Sequence, residues 1–168
     1  QERPGAPARL EPSVTEAEAK LLREALVLAE SRPEAAIAKL RAAPPMRSAA
    51  IDYALGWILA REERLPEAEL AYDRAIRGLP TFARAWSGLG RVRLMAGRPG
   101  EATEAFAKVI ALGRGDAEIW KLLAYGHLEA ERIPAARAAY RMALSLAPDD
   151  AEVRQGLAQA LLASEQYL

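Results

Sequence analysis

Side chains that could perform acid–base, nucleophilic or metal chemistry are scarce in this sequence. Cysteine is absent and His127 is the single histidine, which excludes thiol catalysis, disulfides and cysteine–zinc sites. Spacing identifies no serine or carboxylate partner for His127, so we interpret it as a packing residue. Two adjacent carboxylate pairs, Glu62 with Glu63 and Asp149 with Asp150, are typical of solvated helix ends and caps. There is no glycine-rich phosphate loop or metal-ligand spacing, so the sequence predicts no catalytic residue, no metal site, no cofactor and no enzymatic activity.

The elements that carry these residues are predicted to be helices. Hydrophobic residues make up 51% of the 168 residues but aromatic residues only 6%, and alanine accounts for more than a fifth. Because alanine is the strongest helix former and contributes little to the face of a strand, this composition favours an all-α fold.

The charges of the chain balance, with 23 basic and 23 acidic residues. This balance argues against a nucleic acid or an anionic membrane surface as the partner, since both select an excess of positive charge. No apolar run approaches the roughly 20 residues of a membrane-spanning helix. We therefore expect a soluble protein without membrane insertion. The excess of Ala and Arg is typical of a bacterial coding sequence, and periplasm and cytoplasm both stay open as its compartment.

Three consecutive segments align at a spacing of 34 residues, with boundaries at 49–82, 83–116 and 117–150. Equal offsets carry a leucine before a small residue, then an alanine, then an aromatic ring. The members are Leu55-Gly56, Leu89-Gly90 and Leu123-Ala124, then Ala68, Ala102 and Ala136, then Tyr72, Phe106 and Tyr140. Apolar residues recur with a helical period on both sides of a proline-containing turn, so each segment is predicted to form two helices. The small residues should let the helices approach closely, and the rings should fill the space between successive pairs.

The remaining parts of the chain are predicted from their composition and from partial matches to the repeat. Residues 1–12 contain three prolines and a glycine without apolar periodicity, which predicts a flexible leader or linker. Residues 13–48 are predicted to be a degenerate repeat that lacks the aromatic ring. Residues 151–168 are predicted to contain one helix, from Ala151 to Ala163, which is either a cap or a truncated repeat.

Capping signals predict where several helices begin. The first helix would start at a capping box, formed either by Ser13 and Glu16 or by Thr15 and Glu18, and would run to about Glu30. Its partner would cover about 34–43 and stop before two prolines. Later N-caps are predicted at Ser48, Asp116 and Asp150.

These residues resemble the tetratricopeptide repeat, a 34-residue pattern with W-x₂-L-G-x₂-Y followed by small, aromatic and proline positions. The match is carried by Trp86, Leu89, Gly90, Ala102 and Phe106, and by Trp120, Leu123, Ala136, Tyr140, Ala143 and Pro148. Asp52 departs from the pattern in the Trp position, and His127 stands where the family prefers Tyr. The resemblance covers residues 14–168. It implies a right-handed superhelical array of about nine helices in antiparallel pairs, whose first helices line a concave groove for peptides or partner helices.

A stripe on the first helices is the predicted partner-binding groove. If the Leu-Gly pairs face the partner helix, residues at i, i+4 and i+8 form a separate face. The stripe consists of Tyr53, Trp57 and Arg61, then Ser87, Arg91 and Met95, then Lys121, Tyr125 and Glu129, then Gln155 and Gln159, with Arg84 and Leu128 beside it. Aromatic anchors with cations are typical of binding hot spots, so a segment with apolar side chains and some negative charge is expected. The alternative is that the aromatic residues pack against neighbouring first helices and that the cations are solvated.

As a whole, the sequence predicts a non-enzymatic scaffold that takes a peptide or helix of another protein in this groove. Two alternatives stay open: a targeting or assembly module of a larger enzyme or secretion machine, and a module that associates with copies of itself. Some proteins of the tetratricopeptide repeat family clamp a partner's terminal carboxylate with Lys and Asn. Here Lys121 matches in type, Arg84 matches only in charge, and Asn is absent, which argues against a clamp for heat-shock chaperones.

Overall fold

The structure, a computed structural model, describes residues 11–44 and 47–165. Every regular element within these residues is an α-helix, which confirms the predicted all-α fold. The helices are α1 (Glu16–Ala29), α2 (Pro33–Arg41), α3 (Ala49–Arg61), α4 (Leu65–Gly78), α5 (Ala83–Met95), α6 (Pro99–Ala111), α7 (Ala117–Glu129), α8 (Ile133–Leu146) and α9 (Ala151–Glu165). Most of the predicted leader (residues 1–10) and the last three positions (166–168) lie outside the described residues. Helix α9 continues beyond its predicted end at Ala163.

The chain divides into two compact units between Gly88 and Leu89. In the unit that ends at Gly88, α2 contacts α1 and α3, α3 contacts α4, and α1 also contacts α3. In the unit that begins at Leu89, α7 contacts α6 and α8, and α9 contacts both α8 and α7. Within each unit a first helix therefore contacts its own second helix and another first helix, the pattern expected of stacked helix pairs.

The turns inside the helix pairs are three residues long, at 30–32, 62–64, 96–98 and 130–132. The middle residues of the last three turns, Glu63, Gly97 and Glu131, have φ values of 56°, 70° and 56°, the left-handed conformation that ends an α-helix. The exposed Glu63 thus belongs to a helix end, as predicted. A second helix then begins with a proline in its first turn, where a missing N–H costs nothing. Arg64 precedes it, and its Nε donates to Glu67 Oε1 at 2.7 Å.

The predicted caps are confirmed at three of four places. Thr15 and Glu18 form the capping box of α1, so the structure selects this pair. Asp116 and Asp150 each accept a backbone N–H from the first turn of the following helix at 2.9 Å. Ser48 precedes α3 but its side chain makes no capping bond. Its backbone N–H instead donates to Glu18 Oε1 at 2.6 Å, so one carboxylate serves the starts of both α1 and α3.

Replacing Glu18 with Gln should reduce stability in a pH-dependent way. Hydrogen bonds from the backbone N–H groups of Thr15 and Ser48 hold the pKa of Glu18 below its ordinary value. A lowered pKa in the folded state stabilises the protein above the unfolded-state pKa, and that contribution disappears as the pH falls through the folded-state value. We expect Glu18→Gln to lose about 1 kcal/mol at neutral pH, with the difference from wild type shrinking below about pH 4.5.

Urea unfolding of wild type and Glu18→Gln across this pH range would measure the difference. Glu16→Gln, in the same helical turn and exposed, is the matched control and should stay close to wild type at every pH. A deficit of Glu18→Gln that persists undiminished in acid would contradict the assignment.

The core follows the repeat pattern. Ala68, Ala102, Ala124 and Ala136 have no exposed surface, and the rings of Tyr72, Phe106 and Tyr140 are buried. A Cβ built on Gly56 would lie 3.0 Å from the Tyr72 ring, and one on Gly90 would lie 2.6 Å from the Phe106 ring. Because real Cβ atoms essentially never come closer than 3.0 Å, the second glycine is required for its ring to pack where it does.

Two more glycines, which the repeat pattern did not single out, make room for rings of the preceding repeat. A Cβ on Gly88 would lie 2.4 Å from Cζ of Tyr72, and one on Gly156 would lie 2.3 Å from Cζ of Tyr140. Both glycines hold the same position in their segments. The segment between them, 117–150, has Leu122 at this position. The ring of the segment before it is Phe106, which has no hydroxyl. At both glycines the ring carbons Cζ and Cε1 come within 2.5 Å of the Cβ position, and the tyrosine hydroxyls lie 2.9 and 2.6 Å away, so the end of each tyrosine ring fills the space that a side chain would need.

Candidate partner-binding site

A surface cavity of about 410 Å³ in the unit that ends at Gly88 contains the first part of the predicted stripe. Tyr53, Trp57 and Arg84 line it, together with Phe82, residues of α1 and the segment before α1. We call this cavity the first groove. Its volume lies within the range of about 300–1,000 Å³ that is usual for ligand pockets. Val14 and Leu26, both 42% exposed, give it an apolar wall that is open to solvent.

Two arginines of the unit that ends at Gly88, Arg61 in the stripe and Arg84 beside it, lie over aromatic rings. The Arg84 guanidinium carbon is 5.7 Å from the ring centroid of Tyr53 and 5.6 Å from that of Phe82. The corresponding atom of Arg61 is 4.8 Å from the ring centroid of Trp57. A guanidinium over a ring is attracted by the negative face of the π-system. Each guanidinium therefore has a ring partner, while the side chains stay in contact with solvent, with 62% of Arg84 and 42% of Arg61 exposed.

The two aromatic residues of this stripe have different surroundings. The Tyr53 ring centroid lies 5.9 Å from that of Tyr72 and 5.1 Å from that of Phe82, so Tyr53 extends an internal aromatic cluster. Trp57 is also half-buried, and its described ring contact is the Arg61 guanidinium. Tyr53 thus has a packing role in addition to lining the groove, whereas Trp57 is the better candidate for contact with a partner.

A second cavity, of about 350 Å³, lies in the unit that begins at Leu89. It brings together four predicted residues, Lys121, Tyr125, Gln155 and Gln159. We call it the second groove. Its other walls include Tyr140, whose pKa is raised by burial, and carboxylates of α7 and α9. Its lining is more polar than that of the first groove, with amide, hydroxyl and charged groups around one aliphatic side chain of the described residues, Leu122.

The stripe's cations in the unit that begins at Leu89, Lys121 and Arg91, are paired with the chain's own carboxylates. Lys121 Nζ lies 2.8 Å from Glu118 Oε2, 2.7 Å from Glu152 Oε2 and 3.8 Å from Asp150 Oδ2, and these contacts raise its pKa, the hydrogen bond to Glu118 most of all. Arg91 Nη2 lies 3.2 Å from Glu118 Oε1. Burial acts to raise the pKa of Glu118, but the two cations lower it overall. Negative charge in a ligand is thus disfavoured in the second groove, because carboxylates already surround its lysine.

The other predicted residues lie outside both cavities. Ser87 is half-buried, while Met95 and Glu129 are exposed. Sequence reasoning missed Leu22 and Leu26, which line the first groove from α1. Their i, i+4 spacing was visible, but the degenerate repeat has no Trp or Leu-Gly pair to set its register. Glu11 was also missed, since nothing in the local sequence connects it with Arg84.

His127 occupies a half-buried position on α7. Burial lowers its pKa, and the positive charge of Arg132 acts in the same direction, so the imidazole is neutral at physiological pH. Its Nδ1 is buried without a hydrogen-bond partner among the described residues. The same part of the chain contains no group of three His, Asp or Glu side chains suited to a metal ion. It also contains no helix with the length and hydrophobicity needed to cross a membrane.

Comparisons with known proteins place this geometry among helical repeats. A stretch of 70 residues, 42% of the chain, is 39% identical to human protein O-mannosyl-transferase TMTC3, of which it spans 8%; the mouse protein matches at 39% over 67 residues. Among solved structures, MamA (41-end) from Desulfovibrio magneticus RS-1 is similar with a TM-score of 0.81 and 22% identity, covering 91% of this chain and 88% of that one. The first TPR of Spaghetti (RPAP3), bound to the HSP90 peptide SRMEEVD, has a TM-score of 0.66 and 15% identity, covering 70% and 93%.

Family models agree with the repeat pattern found in the sequence. Three models described as tetratricopeptide repeat match residues 27–81, 59–124 and 117–160. Together they cover the segments that carry the Leu-Gly pairs, the buried alanines and the inter-helix rings. The chain belongs to the tetratricopeptide repeat family.

Proposed function

We propose that this chain is a non-enzymatic interaction module that binds a segment of another protein along its first helices, mainly in the first groove. The observation that carries the proposal is the set of half-exposed apolar side chains around Trp57, next to a guanidinium held on two rings. Apolar anchors beside an arginine are the combination that dominates binding energy in protein interfaces. The peptide bound by the RPAP3 repeat supports peptide binding by this fold.

The kind of peptide should differ from that of the RPAP3 repeat. The chain contains no asparagine, which the family's carboxylate clamps use, and Lys121 is already engaged by Glu118 and Glu152. In the part of the chain that the structure describes, the first groove instead offers the Arg84 cation and an apolar wall. We therefore expect a ligand held chiefly by apolar side chains.

Selection from a display library of short random peptides on the intact chain tests this function. We expect peptides to be enriched, and Trp57→Ala to weaken their binding at least about thirtyfold, since loss of a hot-spot tryptophan costs about 2 kcal/mol or more. Leu70→Ala is the matched control, because Leu70 is 58% exposed on α4, a second helix of the same unit. Failure to enrich any peptide, or equal binding by Trp57→Ala, would contradict the proposal.

A second candidate is an interaction module inside a larger enzyme. The observation in its favour is the match to protein O-mannosyl-transferase TMTC3, which spans only 8% of that protein. The complete reading frame that encodes this chain distinguishes the two, because only the second requires a catalytic region elsewhere in the same polypeptide.

A further inference from the structure

Arg84 occupies a position that its own helix disfavours. It is the second residue of α5, where the helix dipole favours negative charge and a cation is unfavourable. The guanidinium is nevertheless held over the rings of Tyr53 and Phe82, at the wall of the first groove. The groups that hold the cation at this position are thus the two rings and the carboxylate that it faces.

The group that Arg84 faces is a carboxylate from the other end of the unit's sequence. Glu11 Oε2 lies 2.5 Å from Arg84 Nη2, across a separation of 73 residues. Glu11 and Pro12 line the first groove together with Val14. A carboxylate next to apolar side chains is thus already seated on the stripe, supplied by the segment that precedes α1.

This ion pair is exposed and therefore easily exchanged. The Arg84 side chain is 62% exposed and that of Glu11 is 49% exposed, and pairs of this kind contribute little to stability because water and salt screen them. Among the described residues, the charged side chains in the groove's lining are those of Glu11 and Arg84. Removal of the Glu11 carboxylate would leave the Arg84 cation against the apolar walls formed by the described residues, an arrangement complementary to a carboxylate beside an apolar side chain.

We propose that Arg84 is the receptor for a carboxylate of the bound peptide and that Glu11 occupies this position as an intramolecular competitor until the peptide displaces it. The inference rests on the proposed function, because it names the chemistry of the segment that the first groove takes. A peptide must exchange its carboxylate for that of Glu11, so its apparent affinity is reduced by the fraction of molecules in which Glu11 is paired. The carboxylate can belong to an acidic side chain or to the C-terminus of the peptide.

Two matched peptide pools test the proposal on the intact chain. One pool of short acetylated and amidated peptides has a fixed Glu among random apolar residues, and the other has Gln at that place. Both are passed over immobilised wild type, Glu11→Gln and Arg84→Gln, and the retained peptides are quantified by mass spectrometry. A third pool with Gln and a free C-terminus separates terminal from side-chain carboxylates. Arg77→Gln, an exposed arginine at the end of α4, is the control for loss of a positive charge.

The expected readout is the ratio of retained Glu peptides to retained Gln peptides. This ratio should exceed unity for wild type and for Arg77→Gln. For Glu11→Gln the ratio should rise about two- to fivefold over wild type, which is the effect of losing an exposed ion pair of ordinary strength. For Arg84→Gln it should fall to unity. A ratio that Arg84→Gln leaves unchanged, or that Glu11→Gln does not raise, would overturn the proposal. If peptides bind through Trp57 without any carboxylate preference, only this inference fails; if no peptide is retained, the proposed function fails with it.

Discussion

Replacing Phe106 with alanine is expected to lower the free energy of unfolding by about 3–5 kcal/mol. The ring is fully buried, and the Gly90 backbone lies directly against it, where even a Cβ would come within 2.6 Å. Its neighbours on α6, Ala102 and Ala105, are also fully buried and too short to fill the space that the ring would leave. The cavity should therefore persist. Since a typical domain is stable by about 5–15 kcal/mol, urea denaturation would show a large fraction of the total stability lost.

A substitution at Gly90, which packs against the Phe106 ring, tests the same contact from the other side. Gly90→Ala should destabilise the wild-type chain, because its Cβ meets the Phe106 ring. In the Phe106→Ala background the same methyl group points into the vacated space, so the double variant should lose less than the sum of the single losses. Leu146→Ala, an exposed position on α8, should stay within about 0.5 kcal/mol of wild type. Strict additivity of the two core substitutions would contradict the packing described here.

Replacing Asp52 with alanine is expected to cost about 2–3 kcal/mol. Its buried Oδ1 accepts from Arg47 Nη2 at 2.7 Å and from Arg74 Nε at 3.0 Å, which ties α3 to α4 and to the segment before α3. Without the carboxylate, the Arg47 side chain, only 15% exposed, loses this countercharge. The cost stays below the roughly 3–5 kcal/mol of a fully buried pair, because Arg74 is 40% exposed and can turn towards water.

Chemical denaturation of three variants would separate the parts of this cluster. Asp52→Asn keeps the shape but removes the charge, and it should recover only part of the loss. Arg74→Ala leaves the Arg47–Asp52 pair in place and should cost about 1 kcal/mol or less. Asp73→Ala, at a half-buried carboxylate on α4, is the control. If Asp52→Ala proved no worse than this control, the carboxylate could not be the link between the two helices.

The helices could be predicted from the sequence because their signals are local and repeated. The pairing of Trp86 with Leu89-Gly90, and its recurrence at Trp120, sets the register of each first helix, and the prolines after the turns mark where second helices begin. Asp52 shows the limit of this reasoning. As a departure from the Trp position it predicts nothing by itself, because its partners Arg47 and Arg74 are recognisable only once α3 and α4 have been packed together.

The candidate site was predicted less completely. Helical spacing grouped Lys121 with Tyr125, and Tyr53 with Trp57, because residues four apart share a helix face, and each pair lines one cavity. Spacing places Glu118 next to Lys121, three residues along α7, but it could not reveal Glu152, which reaches Lys121 from α9. The charge of the second groove is therefore a property of packing, although every residue in it was visible beforehand.

The sequence by itself determined the repeat, the helical class, and the small and aromatic residues that form the core, because each depends on residue type at a fixed spacing along one helix. The tertiary structure alone decided which surface is open and what charge it presents. Glu11 contacts Arg84 across a separation of 73 residues. The need for glycine at Gly156 is understood only once α8 has placed the Tyr140 ring against it. Contacts between helices depend on how whole faces pack, and no local pattern encodes which carboxylate reaches which cation.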